Sequence, residues 1–303
     1  MAHGDGSVEL ESRSVEFGEA GSMLRGTLYL PIGDGPFPGV VFAHGWGMCA
    51  GGDLERYAQC VAERGIAALT FDFRRLGKSD GEPRQELDPY DQIDDYRTAL
   101  TWLGLQQDVD PDRLGAWGSS YSGGHVLVLA ATDRRVKAVV SQVPTISGYE
   151  TGLRKTHPRD LAALQKAFAA DRAVRVSGGS PGMIQTVGIN GETVAYPSPS
   201  SYHYMIGQSR EVPQWRNETT LRSLELARTY EPGPWVPRIG PTPLLMIVAR
   251  DDTDTPTDLQ LDAYTQAREP KELLLVEGSH YEVYQEQFAL TSSAAADWFA
   301  AHL

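Results

Sequence analysis

Leu114-Gly115-Ala116-Trp117-Gly118-Ser119-Ser120-Tyr121-Ser122-Gly123-Gly124 decides how this sequence folds. A strand-like run, Arg113–Ser119, passes without a loop into Ser122–Ala131, a helical run of small and aliphatic residues. A serine at the centre of so tight a turn must adopt a strained backbone conformation. Its neighbours must be small, and Gly118, Ser122 and Gly123 meet that demand. The pattern is G-x-S-x-G, with Gly118 first, Ser120 central and Ser122 in place of the last glycine. Ser120 then stands at a helix N-terminus, where free N–H groups and the dipole favour developing negative charge. Ser119 in that role would lose the glycine two places earlier. A phosphate-binding loop would need Gly-Lys-Ser/Thr, whereas Gly123 is followed by Gly124-His125.

Around this turn the chain alternates strands and helices. Val8–Phe17 and Leu24–Pro31 are expected as antiparallel strands joined at Gly18–Gly21, and Gly39–Ala43 as a short buried strand. Leu54, Tyr57, Ala58 and Val61 recur at helical spacing, with Asp53 as N-cap and Gly65 as terminator. A strand at Ala67–Phe73, a helix at Asp91–Leu103 and a strand at Val136–Val143 continue the rhythm. From 146 to 236 it stops, leaving two helical stretches, Arg159–Arg172 and Glu218–Thr229. It resumes with strands at Pro243–Ala249 and Glu272–Val276 and helices at Asp258–Arg268 and Phe288–Leu303. This order predicts an α/β fold: a mostly parallel eight-stranded sheet with helices on both faces and an inserted helical lid. Residues 1–145 and 237–303 form the core, and 146–236 lie over the C-terminal edge of the sheet, where open α/β sheets bind ligands.

Two later loops supply partners for the serine. After the strand ending at Ala249 comes Arg250-Asp251-Asp252-Thr253-Asp254-Thr255-Pro256. Asp252 is the favoured carboxylate, and Asp251 and Asp254 remain alternatives that could cap the next helix. After Val276 comes Glu277-Gly278-Ser279-His280-Tyr281. His280 sits on a loop that can reach the serine, with one ring nitrogen for a carboxylate and the other for the hydroxyl. Of the other histidines, His3 lies in the terminus, His125 in the helix after the turn, His157 and His203 in the insertion, and His302 beside the C-terminus. The early strand ends in His44-Gly45-Trp46-Gly47, a loop whose glycines allow close backbone approach. Backbone N–H groups of Trp46 and Tyr121 are the candidate donors for an oxyanion, and His44 is expected to hold the loop.

At this point the sequence resembles the α/β-hydrolase superfamily. The matched elements are His44-Gly45-Trp46-Gly47, the turn at Ser120, the Asp252 and His280 loops, and Asp72-Phe73-Arg74-Arg75-Leu76-Gly77-Lys78-Ser79, similar to the family's D-x-R-G-x-G-x-S with Arg75 where glycine is usual. The layout looks most like the dienelactone-hydrolase and acyl-peptidase-like branch, which includes polyketide transferase-type hydrolases. The resemblance implies a Ser120–His280–Asp252 triad acting on a carboxylic ester, thioester or lactone through an acyl-enzyme, with no metal or organic cofactor. An acyltransferase, thioesterase or peptidase with the same triad is an alternative. A non-catalytic binding protein on the same fold is another, although such proteins usually lose a triad member.

Composition narrows the rest. The chain has 303 residues and a net charge of −13, which argues against a nucleic-acid backbone or an anionic membrane as partner. The expected partner is a small-molecule acyl substrate, and the insertion is a candidate place for a homodimer contact. Two cysteines, Cys49 and Cys60, make neither a disulfide framework nor a metal cluster. Met1–Ser7 lack an apolar signal core and Val126–Ala131 is too short to span a bilayer, so a cytoplasmic location is expected. Tyr149, Tyr196, Tyr202, Tyr204, Trp215 and Tyr230, with Met183 and Met205, could line an apolar pocket or form the insertion's own core.

Overall fold

A computed structural model describes residues 9–189 and 194–303. His3 and the Met1–Ser7 segment lie outside them. The chain runs β1 (Leu10–Glu19), β2 (Ser22–Pro31), β3 (Phe37–Ala43), α1 (Asp53–Ala62), β4 (Ala67–Asp72), α2 (Pro89–Gly104), β5 (Val109–Ser119), α3 (Tyr121–Thr132) and β6 (Val136–Gln142). The 146–236 segment holds α4 (Gly148–Lys155), α5 (Leu161–Val176), β7 (Met183–Val187), β8 (Val194–Tyr196), α6 (Pro199–Gln208), β9 (Thr219–Thr220) and α7 (Leu221–Ala227). The chain closes with β10 (Leu244–Ala249), α8 (Thr257–Gln266), β11 (Lys271–Val276) and α9 (Phe288–His302).

The expected eight-stranded sheet is present, in the order β1-β2-β4-β3-β5-β6-β10-β11. β1 pairs antiparallel with β2, and β2 antiparallel with β4; every later neighbour is parallel. The strand alternation explains how both faces are filled. In β10, Leu244, Met246 and Val248 join the core under α2 and α3, while Leu245, Ile247 and Ala249 join the core under α1 and α9. Val41 and Ala43 of β3 face the first layer, and Val40 and Phe42 the second. Each fully buried aliphatic side chain of this kind stabilises the fold by about 1.5–3 kcal/mol. Such strands are apolar on both faces, which is why they look like continuous hydrophobic runs in sequence.

β4 lies on one side of β3 and β5 on the other, so the chain reverses its direction of sheet growth there. Ala43 at the end of β3 is in register with Gly118 near the end of β5. The His44–Gly47 loop and the Ser120 turn therefore leave the sheet side by side, at the crevice where open α/β sheets place ligands.

Three local expectations are corrected. Asp53 is the first residue of α1 rather than its N-cap; Gly52 holds that place at φ 52°, and Asp53 instead pairs with Arg56 and accepts from Tyr204 Oη at 3.1 Å. α2 starts two residues before Asp91, with Asp88 accepting from Tyr90 N. The 146–236 segment adds helices α4 and α6 and a three-stranded sheet, β8-β7-β9, to the two helical stretches foreseen. Among the described residues no helix is long and apolar enough to cross a membrane.

Candidate active site

Ser120 sits between β5 and α3 at φ 60°, a conformation uncommon for a residue with a β-carbon. The neighbours explain how the turn is kept. A β-carbon at Gly118 would lie 2.2 Å from Ser122 O, and one at Gly123 would lie 2.8 Å from Gln142 O. Ser122, standing where the motif usually has glycine, is put to use: its Oγ donates to Ala43 O at 2.7 Å and accepts from Ser119 N at 3.0 Å. The serine thus ties the end of β3 to the turn itself.

The three side chains singled out from sequence meet. His280 Nε2 lies 3.0 Å from Ser120 Oγ, and His280 Nδ1 lies 2.7 Å from Asp252 Oδ2. All three residues are buried. Asp252 is itself held from behind: Asp254 N and Thr255 N donate to Oδ1 at 2.8 and 2.9 Å, and Thr255 Oγ1 lies 2.8 Å from Oδ2. The other two aspartates of the loop turn elsewhere. Asp251 is exposed, and Asp254 pairs with Lys155 at 3.0 Å and accepts from Ser201 Oγ at 3.1 Å.

Burial disfavours a charged imidazole at 280, but the charge and hydrogen bond of Asp252, with Asp254 behind it, outweigh that and raise its pKa. Lys155 opposes the rise. Burial alone would raise Asp254; the Lys155 ammonium and the His280 site more than offset it, so its carboxyl lies below the usual range. The remaining described histidines are placed otherwise. His125 is buried between Gln92 and Tyr230, and burial drops its pKa to about 3. His44 is buried, pushed to about 4, and its Nδ1 donates to Gly45 O at 2.9 Å. His157 caps the 3-10 turn at 158–160, His203 lies on α6 and His302 at the end of α9.

The two expected oxyanion donors flank the serine. Tyr121 N is the first amide of α3 and Trp46 N belongs to the loop after β3; neither donates to a protein acceptor among the described residues. The rings of Trp46 and Tyr121 pack edge to face with centroids 4.9 Å apart. The neighbouring loop is braced by Asp72, whose carboxylate accepts from Ala50 N at 2.6 Å and Lys78 N at 2.8 Å. A β-carbon at Gly77, φ 49°, would lie 2.2 Å from that carboxylate. Arg75, which stands where glycine is usual, does adopt a left-handed φ of 71° and reaches Asp91 at 2.9 Å and Glu86 at 3.5 Å.

One cavity is lined by the serine, and a second shares Trp46 and Tyr196 with it. The smaller, about 50 Å³, is lined by Ser120, His280, Trp46, Tyr196, Tyr204 and Met205 among others. The larger, about 670 Å³, runs from Trp46, Tyr121 and Tyr196 to α4, α5 and α7. Tyr230 and Trp215 are buried in the core, whereas Tyr149 and Met183 are exposed. The Cys49 thiol lines the small cavity and is pushed up by burial; Cys60 is half-buried. Lys155, Thr255 and Arg228 had no signal in sequence, because their neighbours come from distant elements. Among the described residues no three His, Cys, Asp or Glu side chains are grouped as a metal ion would require.

Residues 20–172 match the family described as X-Pro dipeptidyl-peptidase (S15 family). The chain is 30% identical to the quorum-quenching protein AidA of Acinetobacter baumannii, over 89% of this chain and 88% of that one. It is 32% identical to the thiohydrolase aneE of Aspergillus aculeatus, over 84% and 80%. The solved structure of the alpha/beta hydrolase GrgF from Penicillium sp. superposes with a TM-score of 0.83 at 25% identity, covering 96% of this chain and 99% of that one.

Proposed function

Since the chain belongs to the X-Pro dipeptidyl-peptidase (S15) family, within the α/β-hydrolase superfamily, we propose that it is a serine hydrolase that cleaves a carboxylic ester or thioester through an acyl-enzyme. The observation that carries this reading is the placement of one imidazole, His280, 2.7 Å from Asp252 and 3.0 Å from Ser120.

In the first half-reaction Ser120 Oγ attacks the acyl carbonyl carbon while His280 Nε2 takes the hydroxyl proton. Asp252 orients the ring and stabilises the imidazolium that forms. The N–H groups of Trp46 and Tyr121 receive the developing oxyanion. Collapse of the tetrahedral intermediate breaks the bond to the leaving alkoxide or thiolate, which takes the proton from His280. Water then repeats the sequence: it attacks the acyl carbon as His280 accepts its proton, the acyl–Ser120 bond breaks, His280 returns the proton to Ser120 Oγ, and the carboxylic acid leaves. The 146–236 segment serves as a lid that sets which acyl groups enter.

A second reading is transfer of the acyl group to an acceptor other than water. Its support is that relatives of similar identity are named acyltransferase drtE and polyketide transferase claH. One experiment tests both. A panel of esters, thioesters, lactones and amides is assayed with wild type and Ser120→Ala, with and without amine or alcohol acceptors, and a fluorophosphonate probe is applied to each. Turnover and labelling that depend on Ser120 are expected. Turnover at wild-type rate in Ser120→Ala rejects the nucleophile; acceptor-derived products distinguish transfer from hydrolysis.

A further inference from the structure

Arg228 directly follows α7 and lines the larger cavity. Its Nη2 donates to Thr156 Oγ1 at 2.6 Å. Its Nε is buried without a partner, and no carboxylate lies within ion-pair distance of the guanidinium among the described residues. Burial therefore lowers its pKa with nothing to offset it. The other cation of this cavity, Lys155, is already paired with Asp254 at 3.0 Å. Asp160, also at the cavity, is exposed beside Arg159.

Trp46, Tyr121 and Thr151 line the same cavity. Trp46 and Tyr121 are each only 3% exposed. A half-buried guanidinium on a cavity wall with no counter-ion among the described residues is suited to an anionic ligand. The cavity's 670 Å³ falls within the range of about 300–1,000 Å³ typical of small-molecule sites. The fold also keeps room for the guanidinium, since a β-carbon at Gly152 would lie 2.9 Å from Arg228 Nη1. Trp46 and Tyr196 line both this cavity and the smaller one at Ser120, and Arg228 lines this one together with residues of α4 and α7.

We propose that the acyl substrate carries a carboxylate remote from its reacting carbonyl, and that this carboxylate seats on Arg228. The guanidinium fork matches a carboxylate in shape and charge, and an ammonium or an alkyl end would leave it desolvated and unpaired. The kinetic arm of the test rests on Ser120 as nucleophile; the binding arm does not.

Half-esters of a dicarboxylic acid are compared with neutral esters of equal chain length. Wild type is expected to favour the charged ester by about ten-fold in kcat/KM, the size of one charge-assisted contact. Arg228→Gln should bring that ratio close to one, and Arg228→Lys should keep part of it. Independently, the same half-ester is titrated calorimetrically into Ser120→Ala and into Ser120→Ala with Arg228→Gln. About ten-fold weaker binding by the double variant is expected, with no such difference for the fully esterified diester. Thermal melting is followed alongside, and Arg228→Lys supplies the readout should the glutamine variant unfold. Equal kcat/KM for charged and neutral esters in wild type, no binding of the half-ester, or equal affinity in both backgrounds overturns the proposal. Continued hydrolysis by Ser120→Ala overturns the nucleophile instead, and the calorimetry still decides the role of Arg228.

Discussion

Gly45 and Ser120 approach so closely that a β-carbon at position 45 would lie 2.9 Å from the serine β-carbon and 3.3 Å from its hydroxyl oxygen. The contact follows from the register of β3 against β5, which brings two loops out of the sheet at one level. It sets Gly45 against the Ser120 side chain and leaves no space for a methyl group.

Gly45→Ala is therefore expected to damage turnover more than folding. Displacing the serine or the Trp46 amide by several tenths of an ångström spoils the attack geometry, and losses of about 10²-fold in kcat are typical for such misplacement. Steady-state kinetics and thermal melting on the same preparation check this. Wild-type kcat in a folded Gly45→Ala protein would show that the loop does not position the reaction.

The raised pKa of His280 fixes the sign of two pH effects. Catalysis needs the neutral ring, so kcat/KM should fall as pH drops through a value above 6.5, histidine's ordinary value. Stability runs the other way. A raised folded-state pKa contributes stability that is full below about 6.5 and is lost as pH rises through the folded value. A pH–rate profile and melting curves over the same range should move in opposite directions. Asp252→Asn should lower the midpoint of the rate profile and reduce kcat by about 10⁴-fold.

Lys155→Met offers a finer test of the same electrostatics. Lys155 lowers the pKa of His280 and neutralises Asp254. Its removal leaves Asp254 as an uncompensated carboxylate near the imidazole, so the acid limb of the rate profile should shift to higher pH. A shift to lower pH, or none, would contradict the arrangement described.

Ser122→Ala should destabilise the fold. The hydroxyl joins Ala43 O to Ser119 N in a fully buried position, and its loss leaves a backbone donor and an acceptor unpaired. A cost of about 1–3 kcal/mol is expected, measurable as a lower urea midpoint at unchanged slope. An unchanged midpoint would show that the turn relaxes to pair those groups otherwise.

Much of this was legible in the sequence because it is local. Small residues around Ser120, apolar runs before each loop and the positions of Asp252 and His280 after strands all follow from one-dimensional spacing. Asp53 misled, since a good capping residue precedes the apolar periodicity, yet Gly52 can take the positive φ that the turn before α1 requires. α4 was missed because Gly148 and Gly152 weaken any helical pattern, and α6 because Ser198-Pro199-Ser200-Ser201 has turn chemistry. Strands of two to five residues, β7 to β9, form only through pairing with one another. The solitude of Arg228 and the pairing of Lys155 with a residue 99 positions away could not be read from any window of sequence.

The Lys155–Asp254 contact has an evolutionary corollary. The two residues belong to different parts of the chain, one to the 146–236 segment and one to the loop that holds Asp252. A chimaera that exchanged residues 146–236 for those of another hydrolase would remove the ammonium along with the old pocket. On the proposed reading, any new specificity would come with a shifted His280 pKa, unless the graft brought its own cation.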